Sequence, residues 1–240
     1  MRQMWTIAMR EFSSLFRLPV GWIAVALYML LTGIIFILFT LAPGEPATMR
    51  YFFAIAGWLL LPVAPAISMR TFSEELRSGT IEPLMTAPVT DFSLIVGKYI
   101  GAWLFLIAVL APTVIHAVIL YQFSDPAPDP GPILAGYLSL VLVGGLYLAV
   151  GCLASSLTPN QTLAFLGSLL FILAFLLVTD IASQQASPTV TKILLSLSIN
   201  ARIADFAKGI IATEHIVFFI SAAAWFVFLT ILSIQSRRWR

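Results

Sequence analysis

Six stretches of this chain, each 18 to 25 residues long, contain no Asp, Glu, Lys or Arg: Val20 to Leu41, Tyr51 to Met69, Tyr99 to Gln122, Ile133 to Leu157, Thr162 to Thr179 and Ile216 to Ile234. About 20 mostly apolar residues in a helix cross the roughly 30 Å of bilayer hydrocarbon. All thirteen basic and eleven acidic residues fall in termini and connections, as expected where a charge at the bilayer centre costs at least about 2.5 kcal/mol. The chain is 60% hydrophobic and 10% charged, against about 45–50% and about 25% in soluble domains. The fold class expected is an all-α integral membrane protein with six spans.

Lys and Arg set the expected orientation. With the N-terminus inside, the inner side holds nine (Arg2, Arg10, Arg17, Arg70, Arg77, Lys98, Arg237, Arg238, Arg240) and the outer side four (Arg50, Lys192, Arg202, Lys208). That bias predicts both termini in the cytoplasm. The first apolar run starts near residue 20, is 22 residues long and lacks a small-residue cleavage site, so it reads as a retained span rather than a signal peptide. Cys152 is the single cysteine, which excludes an intrachain disulfide. The net charge of +2 is too small to point to nucleic acid; basic residues at membrane edges serve topology and lipid headgroup contact.

Ahead of the first span, Met4, Trp5, Ala8, Phe12, Leu15 and Phe16 recur at helical spacing, with Arg2, Arg10, Glu11 and Arg17 on the rest of the surface. Residues 1–19 therefore read as an amphipathic helix in the interface, either an anchor or a lever touching a cytoplasmic partner. Pro43, Gly44 and Pro46 make one short outer turn, Ser124 to Pro132 a second, and Pro159 with Asn160 a tight inner one. The longer segment from Asp180 to His215 predicts two short helices, one presenting Val190, Ile193, Leu194 and Leu197, the other Ile203, Phe206, Ala207 and Ile210, with Gly209 weakening the second. They either rest on headgroups and cap the bundle, or line an exit path or meet a partner.

Catalytic chemistry lacks its components. His116 is the one histidine at membrane depth, there is no His-Glu-x-x-His pair, and no carboxylate lies in a span. His116 with Ser168 has no Gly-x-Ser-x-Gly context, which leaves a neutral histidine bonded to a neighbouring helix or lining a polar path. Pro62, Pro65 and Pro112 free carbonyls that neighbours must satisfy. Gly144, Gly145 and Gly151 allow close helix approach. Hydroxyls such as Thr32, Ser68, Ser139 and Ser155 are candidates to line a gap between two subunits.

Arg70 to Lys98, RTFSEELRSGTIEPLMTAPVTDFSLIVGK, packs seven charges between two apolar runs. Arg70, Glu74 and Arg77 sit four and three apart, so the second span can leave the membrane as a charged helix. Gly79 is a helix stop. Thr80 can cap a second helix carrying Glu82 and Pro83 in its first turn and presenting Ile81, Leu84 and Met85. Ala87 and Pro88 end it, and Thr90 or Asp91 caps the next. On these residues alone the bracket is either a solvated hairpin or a docking knob.

Arg70, Glu74, Glu75, Arg77, Gly79-Thr80, Glu82, Leu84, Ala87-Pro88-Val89 and Gly97-Lys98 resemble the cytoplasmic segment of ABC-2-type transporter permeases. The resemblance extends over the whole chain, 1–240, as one transmembrane domain, with 1–19 as the interfacial helix and 70–98 as the coupling segment. Leu197 to Phe219, LSINARIADFAKGIIATEHIVFF, is most similar to the gliding-motility-associated permeases. The resemblance implies a non-catalytic transport subunit of a bacterial plasma membrane exporter, whose coupling helix sits in a groove of a separate ATP-binding subunit. Carried onto this chain, the contact set is Glu74, Glu75, Arg77, Gly79, Thr80, Glu82 and Leu84. It also implies a second permease, identical or related, and ATP with Mg²⁺ held by the partner ATPase. The sequence agrees that hydrolysis occurs elsewhere: the glycine a P-loop needs five residues before Gly97 is Phe92, and Tyr99 follows Lys98. An ATP-driven scaffold or energy transducer without cargo is the alternative expectation.

Overall fold

Backbone amides in hydrocarbon have no water to bond, so a spanning segment must satisfy them within itself, and a helix does. The computed structural model describes residues 2–41, 47–80, 90–185 and 188–236, and its regular elements there are all helical. They are α1 (Arg2–Arg17), α2 (Pro19–Phe39), α3 (Arg50–Ser68), α4 (Ser73–Ser78), α5 (Asp91–Leu110), a 3₁₀ turn (Ala111–Thr113), α6 (Val114–Phe123), α7 (Pro130–Leu157), α8 (Gln161–Gln185), α9 (Pro188–Leu197), α10 (Ile199–Ala207) and α11 (Thr213–Ser236). Six helical stretches are long and apolar enough to cross a membrane.

α7 forms the axis of the bundle. Sixteen of its 28 residues are buried, and it packs against α3, α5, α8, α10 and α11. Its glycines let neighbours come close, as the sequence predicts. A Cβ at Gly136 would lie 2.2 Å from the Phe53 ring, at Gly144 2.7 Å from Leu106, at Gly145 3.0 Å from Trp103, and at Gly151 1.8 Å from Ser68 Oγ. Edge-on aromatic contacts extend the core: Phe36 to Phe52 at 6.4 Å, Phe52 to Phe53 at 5.4 Å and Phe53 to Tyr137 at 5.2 Å. The outer faces of α2, α8 and α11 carry exposed Trp22, Ile37, Leu170, Phe171, Trp225 and Phe228. Apolar surface of that extent requires a bilayer around it.

α1 lies along α5 and returns to α2 through Leu18, with Pro19 opening α2, where its fixed φ suits a first turn. The contact is backbone-close. A Cβ on Gly97 would stand 2.8 Å from Met4 O, and one on Gly101 2.5 Å from Ala8 O. The Gly97-x3-Gly101 spacing, a small-residue signal present in the sequence, makes that approach possible.

Several expectations are corrected. The second span does not run on as one charged helix: it breaks after Ser68 and restarts at Ser73, because Ser155 of α7 bonds the intervening backbone. The third helix, by contrast, starts at Asp91 behind the Thr90 cap as expected, eight residues before the apolar run, and α1 packs along it. Pro112 converts one turn to 3₁₀, and Tyr137 OH donates to Thr113 O at 2.7 Å. Thr32, Ser68, Ser139 and Ser155 face the interior rather than a subunit gap; all four are fully buried and donate to main-chain carbonyls. Ser168 likewise donates to Ala164 O in its own helix. The turn containing Pro43, Gly44 and Pro46 lies outside the described residues.

Candidate functional site

The bracket is built at the end of α3. After the turn through Met69–Phe72, α4 runs six residues and stops at Gly79, whose φ of +68° is the left-handed conformation that glycine adopts without a Cβ penalty. Arg70 Nη2 meets Glu74 Oε2 at 2.8 Å, the i,i+4 pair the spacing predicts. Glu74, Arg77, Gly79 and Thr80 are exposed, and Thr80 Oγ1 lies 2.8 Å from Ser78 Oγ. Glu82 and Leu84 lie outside the described residues. Thr90 caps α5, accepting from Ser93 N at 3.3 Å.

Glu75 points the other way, into the protein. Its Oε1 is 2.6 Å from Lys98 Nζ on α5, which also donates to Thr71 O at 2.7 Å and sits 5.3 Å from the centre of the Phe72 ring. Lys98 is only 6% exposed, and a cation so placed persists because a carboxylate, a carbonyl and a ring face replace its water. Glu11 of α1 adds a second carboxylate. Burial raises its carboxyl above the usual range; the charge of Lys98 opposes that shift, and Glu75 reinforces it. Glu11, Glu75, Lys98, Arg17, Arg70 and Glu74 line a pocket of about 350 Å³. Three helices distant in sequence thus share one charged centre at this end of the bundle.

Ser155, near the end of α7, holds the same turn from the opposite side. Its Oγ accepts from Phe72 N at 2.9 Å and Ser73 N at 3.0 Å and donates to Met69 O at 3.1 Å. Sequence reasoning placed Lys98 on the solvated bracket and Ser155 in a subunit gap. The apolar flank of Lys98, with Ile95, Val96, Tyr99 and Ile100, was the available signal for its burial. Ser155 carries no such signal.

The family model for the ABC-2 family transporter protein matches residues 42–236, most of the chain and all of the bracket. The chain belongs to the ABC-2 transporter family. It is also similar to the probable multidrug ABC transporter permease YbhR of Escherichia coli strain K12, at 25% identity over 117 residues, and to the same-named protein of strain O157:H7 at the same identity. The match covers 49% of this chain and spans only 31% of the length of those relatives. Members of the family are membrane transport subunits that are not themselves catalytic. With its six apolar helices, this ABC-2 permease is a multi-pass membrane protein.

At the far end of the permease a second polar centre joins α10 to α11. Arg202, 5% exposed, donates to His215 Nδ1 at 2.7 Å and to Ser196 O, stacks 4.1 Å from the Phe218 ring and lies 3.7 Å from Glu214. Burial pulls its guanidinium below the ordinary value, with Glu214 and Asp205 opposing. The arginine donates to Nδ1, so His215 carries its proton on Nε2, which faces Asp205 Oδ2 at 3.5 Å. Both expected short helices exist. α10 caps the bundle through buried Ile203, Phe206 and Ala207 and ends before Gly209, at φ +87°. Val190, Ile193 and Leu197 of α9 stay exposed, so that face is not covered by the described residues. His116 sits between the Phe36 and Phe52 rings, 5.0 and 5.5 Å away.

Between α5, α7 and α11 runs an apolar groove of about 860 Å³, walled by Trp103, Val141, Ala223, Val227, Phe228 and Ile231 among others. Tyr99 OH and Trp103 Nε1 donate to Gly145 O and Val141 O at 3.1 and 3.0 Å, so both present apolar faces to the groove. Among the described residues no group of His, Cys, Asp and Glu is arranged to hold a metal.

Proposed function

We propose that this permease is the membrane subunit of an ATP-driven exporter, in which a separate ATP-binding subunit docks on the α4 bracket and its cycle moves the spans. The observation that carries the reading is the charged centre of Glu75, Lys98 and Glu11. It supports a bracket fixed to α1 and α5 rather than a free hairpin, which is what a lever needs. The contact set divides accordingly: Glu74, Arg77, Gly79 and Thr80 offer exposed groups to a partner, and Glu75 holds the bracket to the bundle. Glu82 and Leu84 complete the set on the segment between Thr80 and Thr90.

In this reading the Arg70 end and both termini face the cytoplasm of a bacterial plasma membrane, α1 lies in the interface, and a second permease copy or relative completes the route. ATP and Mg²⁺ are bound by the partner. The similarity of Leu197 to Phe219 favours the gliding-motility-associated group. The name of the relatives, probable multidrug ABC transporter permease, and the uncharged groove favour apolar cargo.

Purified in nanodiscs alone, the chain should hydrolyse no ATP, and adding the cognate ATP-binding subunit should give hydrolysis that responds to the permease. Glu82→Ala with Arg77→Ala should abolish that response without removing the protein from the membrane. A normal response in this variant would refute docking at the bracket.

A further inference from the structure

α4 is too short to hold itself. Six residues cannot sustain a helix in isolation, and its first amides need partners from elsewhere. The residue at its N-cap, Phe72, supplies no side-chain acceptor. Ser155 supplies one from another span. A serine hydroxyl has one proton and two lone pairs, and all are used: Met69 O receives the proton, and Phe72 N and Ser73 N take the lone pairs. The site is fully buried, so water cannot replace the missing bonds if the hydroxyl is removed. One turn earlier on the same face of α7, Gly151 brings the backbone against Ser68, the last residue of α3.

We propose that Ser155 is a positioning residue that clamps the α3–α4 joint to α7, so that the bracket and the central span move as one body. The proposal rests on the coupling role given above to the bracket and adds the route: the stroke enters α7 directly, through one hydroxyl, rather than travelling up α3. Lys98, bonded to Thr71 O in the same turn, ties α5 to the joint from the other side. Without Ser155 the joint becomes a hinge on the α7 side.

The test uses the full chain in nanodiscs with Cys152→Ala, and spin labels on Ser78→Cys in α4 and Leu138→Cys in α7, both exposed positions. With Ser155 intact, one narrow distance distribution is expected. Ser155→Ala should broaden it and speed hydrogen exchange at the Phe72 and Ser73 amides at least tenfold. Ser155→Thr and Ser155→Val share a shape and differ in the hydroxyl, so Thr should restore the narrow distribution and Val should not. With the ATP-binding subunit present, the distance should stay constant through the nucleotide cycle in the parent and vary with nucleotide in Ser155→Ala. Unchanged exchange and distances in Ser155→Ala, or equal behaviour of Thr and Val, would overturn the clamp. Failure of the ATPase to respond to the parent chain would instead sink the coupling role, with the partner-free measurements still deciding Ser155.

Discussion

Lys98→Met removes the cation of the charged centre and keeps an unbranched stem of similar reach. Two groups then lose their partner: Glu75, whose side chain is 20% exposed, and Thr71 O beneath it. Stripping one member from a fully buried pair costs about 3–5 kcal/mol. The pocket beside Glu75 admits solvent and softens that penalty, and the lost carbonyl bond belongs to the same side chain, so the two losses do not simply add. The net expectation is about 2–3 kcal/mol, or about 30- to 140-fold in the population of the opened state. Cys152 supplies the assay. It is the single cysteine, is 1% exposed, and packs in one cluster with Phe72 and Ile95, so its labelling by a thiol-reactive dye in mild detergent reads opening at this end. Lys98→Met should accelerate labelling by that factor. Glu75→Gln added to it should bring the rate back to within about 1 kcal/mol of the parent, because a neutral amide carries no unpaired charge. Parent-like labelling in Lys98→Met, or no recovery in the double variant, would refute the buried ion pair as the tie between bracket and bundle.

Gly101→Leu should detach α1 from α5, since a Cβ there would lie 2.5 Å from a main-chain oxygen that cannot swing away; a loss of about 1–3 kcal/mol should appear as trypsin cleavage at Arg10 that the parent resists. Glu11 should make the protein less stable as pH rises. Its carboxyl is held above the ordinary range, so the folded state binds the proton more tightly, and stability is full below the unfolded value and lost as pH climbs through the folded one. Glu11→Gln should flatten that limb of a stability–pH curve, and an unchanged curve would remove Glu11 from the centre. Arg202→Met should leave His215 and Ser196 O without their donor, at about 1–2 kcal/mol, read as faster hydrogen exchange across α10.

Much of the architecture was legible because hydrocarbon enforces it: uncharged runs had to be helices, and Gly144, Gly145 and Gly151 in the fourth of them mark close helix contacts. Gly79 and Thr90 could be placed as a stop and a cap because their chemistry is local. What escaped the sequence depends on pairing across the chain. Lys98 looks like a membrane-edge charge until α1 covers it, and Glu75 looks like a surface acid until Lys98 lies beneath it. Ser155 differs in no visible way from Ser139, which merely donates to Gly136 O in its own helix. Arg202 counts as an outer positive charge in any topology rule, yet it is buried against His215 and Phe218. Polar residues at the ends of spans are ambiguous in sequence because either solvent or a neighbouring helix can satisfy them.

The two polar centres stand at opposite ends of the bundle, and α7 reaches both. At 1.5 Å per residue its 28 residues extend about 42 Å, with Ser155 bonded to the α3–α4 turn at one end and α10 packed against it toward the other. α3 contains Pro62 and Pro65, and the third span changes to 3₁₀ at Ala111–Thr113, so neither offers so stiff a path. Tyr99 and Trp103 bond α5 to two α7 carbonyls, so these helices form a pair that side-chain hydrogen bonds must break to separate. α11 meets the pair through Phe219, Ala223, Val227 and Ile231, and side-chain hydrogen bonds hold it as well: Ser233 Oγ lies 3.1 Å from Ser156 Oγ of α7, and Gln235 Nε2 donates to Asp91 Oδ2 of α5 at 3.4 Å. In the coupling role proposed above, a displacement applied at the bracket would be carried by α5 and α7 together against α11. The 860 Å³ groove lies along that boundary, so under the proposed coupling its width is the quantity a bracket movement would change.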